Sequence, residues 1–440
     1  MRSRTVVYRL LFASLVFWSA AASGASAAGA AHEPPPPITN PVIGPETRVS
    51  WSTSPEADRY LPQVAYNSTQ DEYLVVWHNT WPDGHHDIYA QRVSGSGRLL
   101  TGFAVSAGVE SRLQPDVAYN WATNEYLVVW MKDIHKDGSV YEIWGRLVAW
   151  NGAYQKPEFQ IASWPNRTFR TPRVAQGDLD KYLVVWNAFD ATTGQPTDIS
   201  SMLLGPGGQK LQGRNLTTST WPHQVDVVYN VGNDDFLVVF VRVYSQQATG
   251  NDIYGLRVNK DNAVINPPGV FEIHKGEKNQ NAPRVATNNS NVFLVVWEHE
   301  HTATDSDIYG QLLKWDGSKI GQRVPLSTST ADETRPVTAG DYLQFPSEPK
   351  YRFLVAWQKE EPGQAAVVGR TWPSHSGPFY EFASYAFWEA AAPAVAWGSP
   401  SVLVAYEGDA PGDPTEHRHI YGRRWTPFGV YLPGVLRTAK

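Results

Sequence analysis

The segment Tyr73-Leu74-Val75-Val76-Trp77 decides the fold of this chain, because similar segments follow it at regular intervals. Each is a run of five residues that are β-branched, leucine or aromatic, apart from an alanine in each of the last two, and this composition is typical of strands. The similar segments are residues 126–130, 182–186, 236–240, 293–297, 353–357 and, more weakly, 402–406. Their last residues lie between 49 and 60 positions apart. A period of this size indicates a tandem-repeat architecture.

Three further segments accompany the anchor segment. Before it stands Pro-x-Val-Ala-Tyr-Asn, at residues 62–67 and 115–120, and in shorter or looser form at 172–175, 225–230, 283–286, 336–339 and 393–397. After it stands Asp-Ile-Tyr-Gly-Gln-Arg-Val in some form, at residues 87–93, 142–148, 252–258, 307–313 and 419–424. A fainter fourth element occupies residues 103–106, 159–163, 271–274 and 323–327. Turn residues separate these segments, so each repeat is predicted to be a four-stranded antiparallel meander.

The anchor strand is apolar on both faces, so it needs cover from two sides, as in sheets stacked face to face. Seven stacked sheets would leave two apolar end faces exposed unless the stack closes on itself. We therefore predict an all-β fold, a seven-bladed β-propeller of four-stranded antiparallel blades over residues 45–440. The alternatives are an open solenoid and a split into two smaller β-domains.

The N-terminal side of the repeats offers a way to close the ring. Residues 48–54 precede the first repeat and resemble residues 323–329, which belong to a fourth strand. We expect the N-terminus to supply an outer strand to the seventh blade, next to the C-terminal strands.

The repeats resemble those of exported bacterial tandem-repeat proteins of the β-propeller type. The resemblance covers nearly all of residues 45–440, and it implies an architecture without any particular activity. The Gly-His…Trp-Asp spacing, the double-glycine kelch pattern and the Ser-x-Asp-x-Gly-x-Thr-Trp box of sialidases do not occur in the sequence. The functions associated with those signatures are therefore not transferred to this chain.

The first 27 residues have the layout of a secretory signal peptide. Arg2, Arg4 and Arg9 precede an apolar run at 10–22, and Ala25-Ser26-Ala27 fits a cleavage site. An uncleaved membrane anchor is the alternative, but this run falls short of the ~20 residues that span a bilayer. Residues 28–44, with four consecutive prolines, are predicted to form a stiff linker. We expect a protein that is secreted or held at the cell-envelope exterior, without membrane insertion after cleavage.

Composition narrows the classes of partner. The chain has no cysteine, so packing rather than disulfides must stabilise it, and its 18 tryptophans and 21 tyrosines indicate a packed core. It carries 37 basic and 43 acidic residues; because residues 1–27 hold three arginines and no acid, signal cleavage changes the net charge from −6 to −9. Nucleic acid is not an expected partner of such a chain. We expect a monomer.

Two recurring features of the repeat are interpreted as architecture. An acid stands before the third-strand isoleucine in most repeats, at Asp87, Glu142, Asp198, Asp252 and Asp307. A carboxylate at such a corner serves to accept backbone N–H bonds, although a metal or acid–base role is the alternative. The aromatic residue that ends each anchor strand is likewise expected in the core.

Function is expected in the loops that differ between repeats, on the face that carries the connections between strands two and three. The candidate ligand-binding residues are Trp51, Trp81, His85, His86, Trp164, Trp221, His223, His299 and His301. Indole rings stack on sugars, and prolines follow several of these tryptophans. His299 and His301 alternate as on a strand, but the spacing of zinc sites is absent, so no metal ligand is assigned. The acidic loop at 409–413 has oxygen ligands suited to calcium, and no other cofactor is expected.

These observations favour a non-catalytic binding or interaction scaffold that recognises an extracellular protein or carbohydrate through variable loops on one face. The alternative is a carbohydrate-active enzyme, a glycoside hydrolase or lyase, with carboxylates at the channel mouth. No catalytic residue is assigned, because the sequence shows neither a Ser-His-Asp order nor a Gly-x-Ser-x-Gly motif.

Overall fold

Strands make up almost all regular structure in the computed structural model, which describes residues 42–51, 57–217, 222–243, 250–288, 291–341, 352–372, 379–383, 390–409 and 417–427. The predicted signal peptide, most of the predicted linker and Trp221 lie outside these residues. A 3₁₀ turn at Pro206–Gly208 lies between two strands. Within the described part of the chain, no helix has the length and apolar content needed to cross a membrane.

The strands form seven antiparallel sheets, or blades, in chain order. Two short N-terminal strands are β1 (Val42–Ile43) and β2 (Thr47–Arg48). Blade one comprises β3 (Asp58–Asn67), β4 (Glu72–Thr80), β5 (His86–Ser94) and β6 (Leu99–Ser106). Blade two comprises β7 (Arg112–Asn120), β8 (Glu125–Asp133), β9 (Tyr141–Ala149) and β10 (Phe159–Ala162). Blade three comprises β11 (Arg167–Gln176), β12 (Tyr182–Asp190), β13 (Pro196–Leu204) and β14 (Lys210–Asn215).

The remaining four blades repeat this order. Blade four comprises β15 (Pro222–Asn230), β16 (Asp235–Val243), β17 (Asn251–Asn259) and β18 (Val270–His274). Blade five comprises β19 (Gln280–Thr287), β20 (Val292–Thr302), β21 (Asp305–Lys314) and β22 (Lys319–Pro325). Blade six comprises β23 (Asp332–Gly340), β24 (Phe353–Glu361), β25 (Gln364–Trp372) and β26 (Tyr380–Ala383). Blade seven comprises β27 (Ala391–Trp397), β28 (Val402–Gly408) and β29 (His419–Thr426).

The blades form a closed ring, so the predicted seven-bladed propeller is confirmed. The first strands of successive blades pack on one another around a central channel, and β27 packs on β3. Blade seven obtains its outer edge from the N-terminus, because β1 and β2 both pair with β29. The predicted closure by an N-terminal strand is therefore confirmed, and β1 begins inside the range expected for the linker.

The register of the closing strand differs by two residues from the one that sequence similarity suggested. Val49 and Ser50 both donate backbone N–H bonds to the Ile420 carbonyl, as Leu326 and Ser327 do to the Ile308 carbonyl. Val49 therefore corresponds to Leu326, whereas the sequence similarity aligned it with Val324. The structural match places two buried apolar residues and two buried serines in equivalent positions.

The anchor strands explain why the sheets stack. In β4, Tyr73, Val75 and Trp77 pack against blade seven, whereas Leu74 and Val76 pack against blade two. Within the described residues, the buried apolar side chains form seven clusters, each shared by two neighbouring blades. The aromatic residues that end the anchor strands are all buried, as predicted: Trp77, Trp130, Trp186, Phe240, Trp297, Trp357 and Tyr406. Burying one tryptophan contributes at most about 4–6 kcal/mol.

Local polar contacts shape the two ends of each blade. The Asn67 side chain accepts the backbone N–H of Thr69 at 2.9 Å and thereby folds the hairpin between β3 and β4. At the other end, Asp87 accepts the Gly108 N–H and Asp252 accepts the Gly276 N–H, both at 3.0 Å. These two contacts confirm the interpretation as a corner acceptor for Asp87 and Asp252, whereas the hydrogen-bond partners of Glu142, Asp198 and Asp307 are side chains. The fourth strand of blade three and the third and fourth strands of blade six carry weaker motifs and are found only in the structure.

Each first strand contains a bulge opposite the aromatic residue that ends the anchor strand. At every bulge a non-glycine residue has a φ between 45° and 53°; these residues are Leu61, Gln114, Thr171, Gln224, Ala282, Arg335 and Ala392. In all but blade four, a proline follows this residue. Left-handed backbone costs a residue with a Cβ roughly 1–2 kcal/mol. The same strained position thus recurs in all seven blades and bends each strand around the channel.

Two alanines of β19 test this strain. Ala282 has a φ of 48°, whereas Ala286 is a buried residue outside the bulge. We expect Ala282→Gly to raise the free energy of unfolding by up to about 1 kcal/mol, because relief of strain exceeds the entropic cost of glycine. We expect Ala286→Gly to lower it by about 1 kcal/mol. Urea denaturation measures both, and equal losses would show that the bulge is unstrained.

Candidate functional site

The channel has two ends that differ in chemistry. We call the face with the connections between strands two and three, and between successive blades, the upper face, and the opposite face the lower face. Each first strand runs from the upper to the lower face. Two chambers follow one another along the channel, and their boundary falls between adjacent residues of the first strands, such as Gln63 and Val64.

The lower chamber is wide and apolar. It has a volume of about 620 Å³, and all seven first strands contribute to its wall. Its wall consists mainly of small apolar residues, among them Val64, Ala65, Val117, Ala118, Val174, Ala175, Val227, Val285 and Ala286. Tyr66, Tyr119, Tyr229 and Trp397 lie towards the lower mouth, together with Trp121, which is 57% exposed.

The upper chamber is smaller and basic. It has a volume of about 210 Å³ and lies between the bulges. Its wall comprises Leu61, Gln63, Gln114, Pro115, Thr171, Arg173, Ala282, Arg284, Arg335, Val337, Ala392 and Pro393. Three arginines and two glutamines therefore belong to this wall, and among the described residues no acidic residue does.

The carboxylates near the channel hold adjacent blades together. Glu407 accepts the Leu61 N–H at 2.8 Å, and Glu298 accepts the Arg335 N–H at 2.6 Å. Both N–H groups belong to left-handed bulge residues of the next blade, which have no partner in their own sheet. Gln358 performs the same function for the Ala392 N–H at 3.3 Å. In blades five, six and seven, the residue that follows the last aromatic residue of the anchor strand is thus an inter-blade acceptor.

A second set of carboxylates belongs to the first strands themselves and lies just after the bulges. Asp116 accepts the Val174 N–H at 2.8 Å, and Asp226 accepts the Val285 N–H at 2.9 Å, in both cases across a blade boundary. Both acids occupy the variable position that follows the bulge proline or its equivalent. Arg173 and Arg284 occupy the same position in blades three and five. Negative and positive side chains therefore alternate along an arc of the ring, from blade two to blade five.

Burial sets the protonation of several of these groups. It raises the pKa of Asp116 to about 6, against the opposing effect of Arg173, and that of Glu407 to about 7. It lowers the pKa of Arg284 to about 10, with repulsion from Arg173 as a smaller cause. The arginine therefore stays charged at neutral pH, whereas Glu407 is partly protonated there.

The blade-one candidates lie together in the loop between β4 and β5. The rings of Trp81 and His85 stack at 5.7 Å, and Trp81 donates a hydrogen bond from Nε1 to Asp87 at 2.9 Å. His85 also contacts Asp83, and His86 lies 3.0 Å from the Thr80 hydroxyl. These half-buried side chains form a small aromatic and polar cluster at the upper face.

The blade-five candidates form a second cluster. The rings of His299 and His301 lie 4.7 Å apart, so the strand brings them to one side as their spacing indicated. His299 contacts Gln280 at 2.8 Å, and His301 contacts Asp307 at 2.7 Å. Burial lowers the pKa of His299 to about 4. Throughout the described ranges, no group of three or more His, Asp or Glu side chains could hold a metal ion.

The other candidates are dispersed. Trp51 donates a hydrogen bond to the Ala90 carbonyl at 3.3 Å and packs edge-on against Tyr89, between blades seven and one. Trp164 follows β10 and is 67% exposed. His223 pairs with Val241 at the upper end of blade four. The structure thus joins Trp81 with His85 and His86, and His299 with His301, while their roles in binding stay predictions.

Sequence reasoning missed the residues of the upper chamber. Arg173 and Arg284 occupy the variable position of the Pro-x-Val motif, which holds Gln, Asp, Arg, Asp, Arg, Val and Ala around the ring. That variation, beside a valine that hardly changes, was the available signal. The sequence alone could not show what this variation means, because the seven positions are far apart in the chain and come together only when the ring closes.

Glu333 provides a test of burial through pH. Its carboxyl is fully buried and accepts hydrogen bonds from the hydroxyls of Ser327 and Ser329. Burial, with the Asp307 charge as a smaller cause, raises the pKa of Glu333 to about 7. An unfolded glutamate titrates near ~4.3, so the stability from this group is complete below that pH and is lost as the pH rises through about 7.

We expect Glu333→Gln, which imitates the protonated form, to remove this loss. The variant should match the wild type near pH 4 and exceed its free energy of unfolding by about 1–3 kcal/mol at pH 8. Urea denaturation at several pH values measures the difference. Glu272→Gln, at an exposed glutamate, is the control. A constant difference across the pH range would contradict the expectation.

Known proteins share the architecture of this chain. No protein-family model and no curated protein matches it. A solved protein of unknown function from Dyadobacter fermentans is similar with a TM-score of 0.51 and 11% identity, over 88% of this chain and 100% of the other. The propeller domain of the Trilobed protease from Pyrococcus furiosus follows with a TM-score of 0.45 and 12% identity, over 83% and 95%. An α-L-arabinanase from Penicillium chrysogenum has a TM-score of 0.43 and 14% identity, over 88% and 98%. At these identities the likeness shows the propeller fold alone.

Proposed function

We propose that this propeller is an extracellular, non-catalytic binding module that recognises a carbohydrate or a protein through the upper face. One observation carries the proposal: the carboxylates around the channel accept backbone N–H groups of the next blade, and in the described part of the chain none lines either chamber. Glycoside hydrolysis, the enzymatic alternative, typically requires a pair of carboxyl groups on either side of the bond that is cleaved. These carboxyl groups serve the assembly of the ring instead.

The upper face carries side chains suited to carbohydrate. Trp164 exposes two thirds of its surface and precedes Pro165, which restricts the backbone beside the ring. Trp81 stacks on His85, with Asp83 next to the histidine. Indole faces stack on the C–H groups of sugars, and carboxylates accept their hydroxyls. Such rigid aromatic side chains also contribute strongly to protein interfaces.

The alternative is a carbohydrate-active enzyme with a carboxyl pair at the channel mouth. Glu407 supports it best, because its raised pKa suits a general acid near neutral pH. Its two oxygens are engaged, however, one by the Leu61 N–H and the other by Arg418 at 3.4 Å. We therefore place binding before catalysis.

Three tryptophan variants test the proposal on a glycan array with the purified mature chain. Trp164→Ala and Trp81→Ala should each weaken binding to the recognised glycan about 10-fold or more, since base–aromatic stacking of similar area is worth ~1–3 kcal/mol. Trp121→Ala is the matched control, because Trp121 is also exposed in a loop but lies at the lower face. It should bind as the wild type does.

Other outcomes would redirect or refute the proposal. Equal losses in all three variants, or a loss only in Trp121→Ala, would exclude recognition by the upper face. Release of sugars from labelled polysaccharides that disappears in Glu407→Gln would establish the enzyme alternative. An array without signal, together with an extracellular protein captured by the wild type and not by Trp164→Ala, would select the protein partner.

A further inference from the structure

We propose that the upper chamber is a binding site for a small hydroxylated organic acid, such as a sugar acid. The site differs from the loop surface of the proposed function, since it lies inside the channel between the bulges. Three features carry the inference: arginine side chains with unused donors, a carboxamide with an unused acceptor, and an apolar part of the same wall.

The arginines retain hydrogen-bonding capacity. Among the described residues, the guanidinium groups of Arg173 and Arg284 form no hydrogen bond, and their partner is the Asp226 carboxylate at 4.0 Å and 3.8 Å. The buried Nε of Arg173, the atom 4.0 Å from Asp226, has no hydrogen-bond partner. Each guanidinium carries five N–H donors in a planar fork that matches a carboxylate. Buried donors without acceptors are costly, so a ligand carboxylate would satisfy them.

The protein's own carboxylates leave this demand unmet. Asp226 shares a single oxygen between the two arginines, and its other oxygen accepts the Val285 N–H. Asp116 is likewise engaged with the Val174 N–H. Because neither acid belongs to the chamber wall, the arginine side chains are what a ligand in the chamber meets.

Arg335 stands at the mouth of the same chamber. Its side chain is about half exposed, and its guanidinium lies 3.8 Å from Glu407, beyond hydrogen-bonding distance. The Arg284 side chain keeps 23% exposure although it lies inside the channel, so solvent in the chamber reaches it. An anion entering from the upper face would therefore pass one arginine and then meet two more.

The remaining wall selects the body of the ligand. The side-chain Oε1 of Gln114 is buried without a partner, and Gln63 adds a second carboxamide. A carboxamide offers both donors and an acceptor, which suits a hydroxyl. Val337, Ala392 and Pro393 of blades six and seven continue the wall beside Gln63 and suit carbon-bound hydrogens. A compact hydroxy acid satisfies all three surfaces, whereas an inorganic anion would leave the apolar wall and Gln114 unused.

Isothermal titration calorimetry of the mature chain, with four probes, tests the inference. D-glucuronate provides carboxylate and hydroxyls, acetate only the carboxylate, D-glucose only hydroxyls, and phosphate only anionic charge. We expect saturable binding of glucuronate at least 10-fold tighter than that of acetate or phosphate, and no binding of glucose. The Kd for glucuronate should rise with ionic strength.

Arg284→Gln should weaken glucuronate binding at least 10-fold, and Arg335→Gln at the exposed mouth should weaken it about 3-fold or more. Arg257→Gln is the matched control, because it removes a buried arginine that pairs with Asp235 on blade four, away from the chamber. Its Kd should equal that of the wild type. If Arg284→Gln fails to fold, the inference is tested by Arg335→Gln and by the relative affinities of the wild type for the four probes.

Three results would overturn the assignment. Absence of saturable glucuronate binding to the wild type would show that the chamber holds only water, and equal weakening by Arg257→Gln would show a stability effect. Phosphate binding as tight as glucuronate binding would identify a simple anion site. Trp164→Ala should leave glucuronate binding unchanged, so failure here and failure of the upper-face proposal are distinguished.

Discussion

The structure depends on one constraint: the anchor strand of every repeat is apolar on both faces. Alternate side chains of β4 pack against different neighbours, Tyr73 and Trp77 against blade seven and Leu74 against blade two. A blade therefore cannot satisfy its own apolar surface and requires two others. Seven inter-blade clusters meet this need in the described residues, and the N-terminal segment adds Val49 to the cluster that joins blades seven and one. Stability without disulfides follows from this shared burial.

Near the centre of the ring, the bulges of the first strands leave backbone N–H groups without an acceptor in their own sheet. Each first strand bends at a bulge, and the bulge residue's N–H loses its place in the sheet. A buried N–H without an acceptor is costly, and Glu407, Glu298 and Gln358 of the preceding blades supply acceptors. Carboxylates that would otherwise suggest catalysis thus hold neighbouring blades in position. The same side chains therefore compensate the hydrogen bonds that the bulges remove and connect each blade to the next.

The two chambers of the channel differ in chemistry. The lower chamber is walled by small apolar residues and the upper chamber by arginines and carboxamides, although six of the seven first strands contribute to both. The change occurs within one residue step along each strand, because consecutive side chains and a bulge present different groups to the channel. The two sites proposed at the upper face are therefore separate: loop side chains at the rim and the basic chamber below them.

The repeat pattern alone determined the strands of the well-preserved blades, the number of blades, the buried aromatic positions and the closure by the N-terminus. These features follow from local composition and from the spacing of the repeats, both of which are present in the sequence itself. The weaker strands of blades three and six, the two-residue register of the closing strand and the clusters around His85 and His299 required the structure. So did the upper chamber, because Arg173 and Arg284 stand 111 positions apart in the chain. Only the circular arrangement makes them neighbours, since proximity across a ring is set by packing between blades and has no signature within any single repeat.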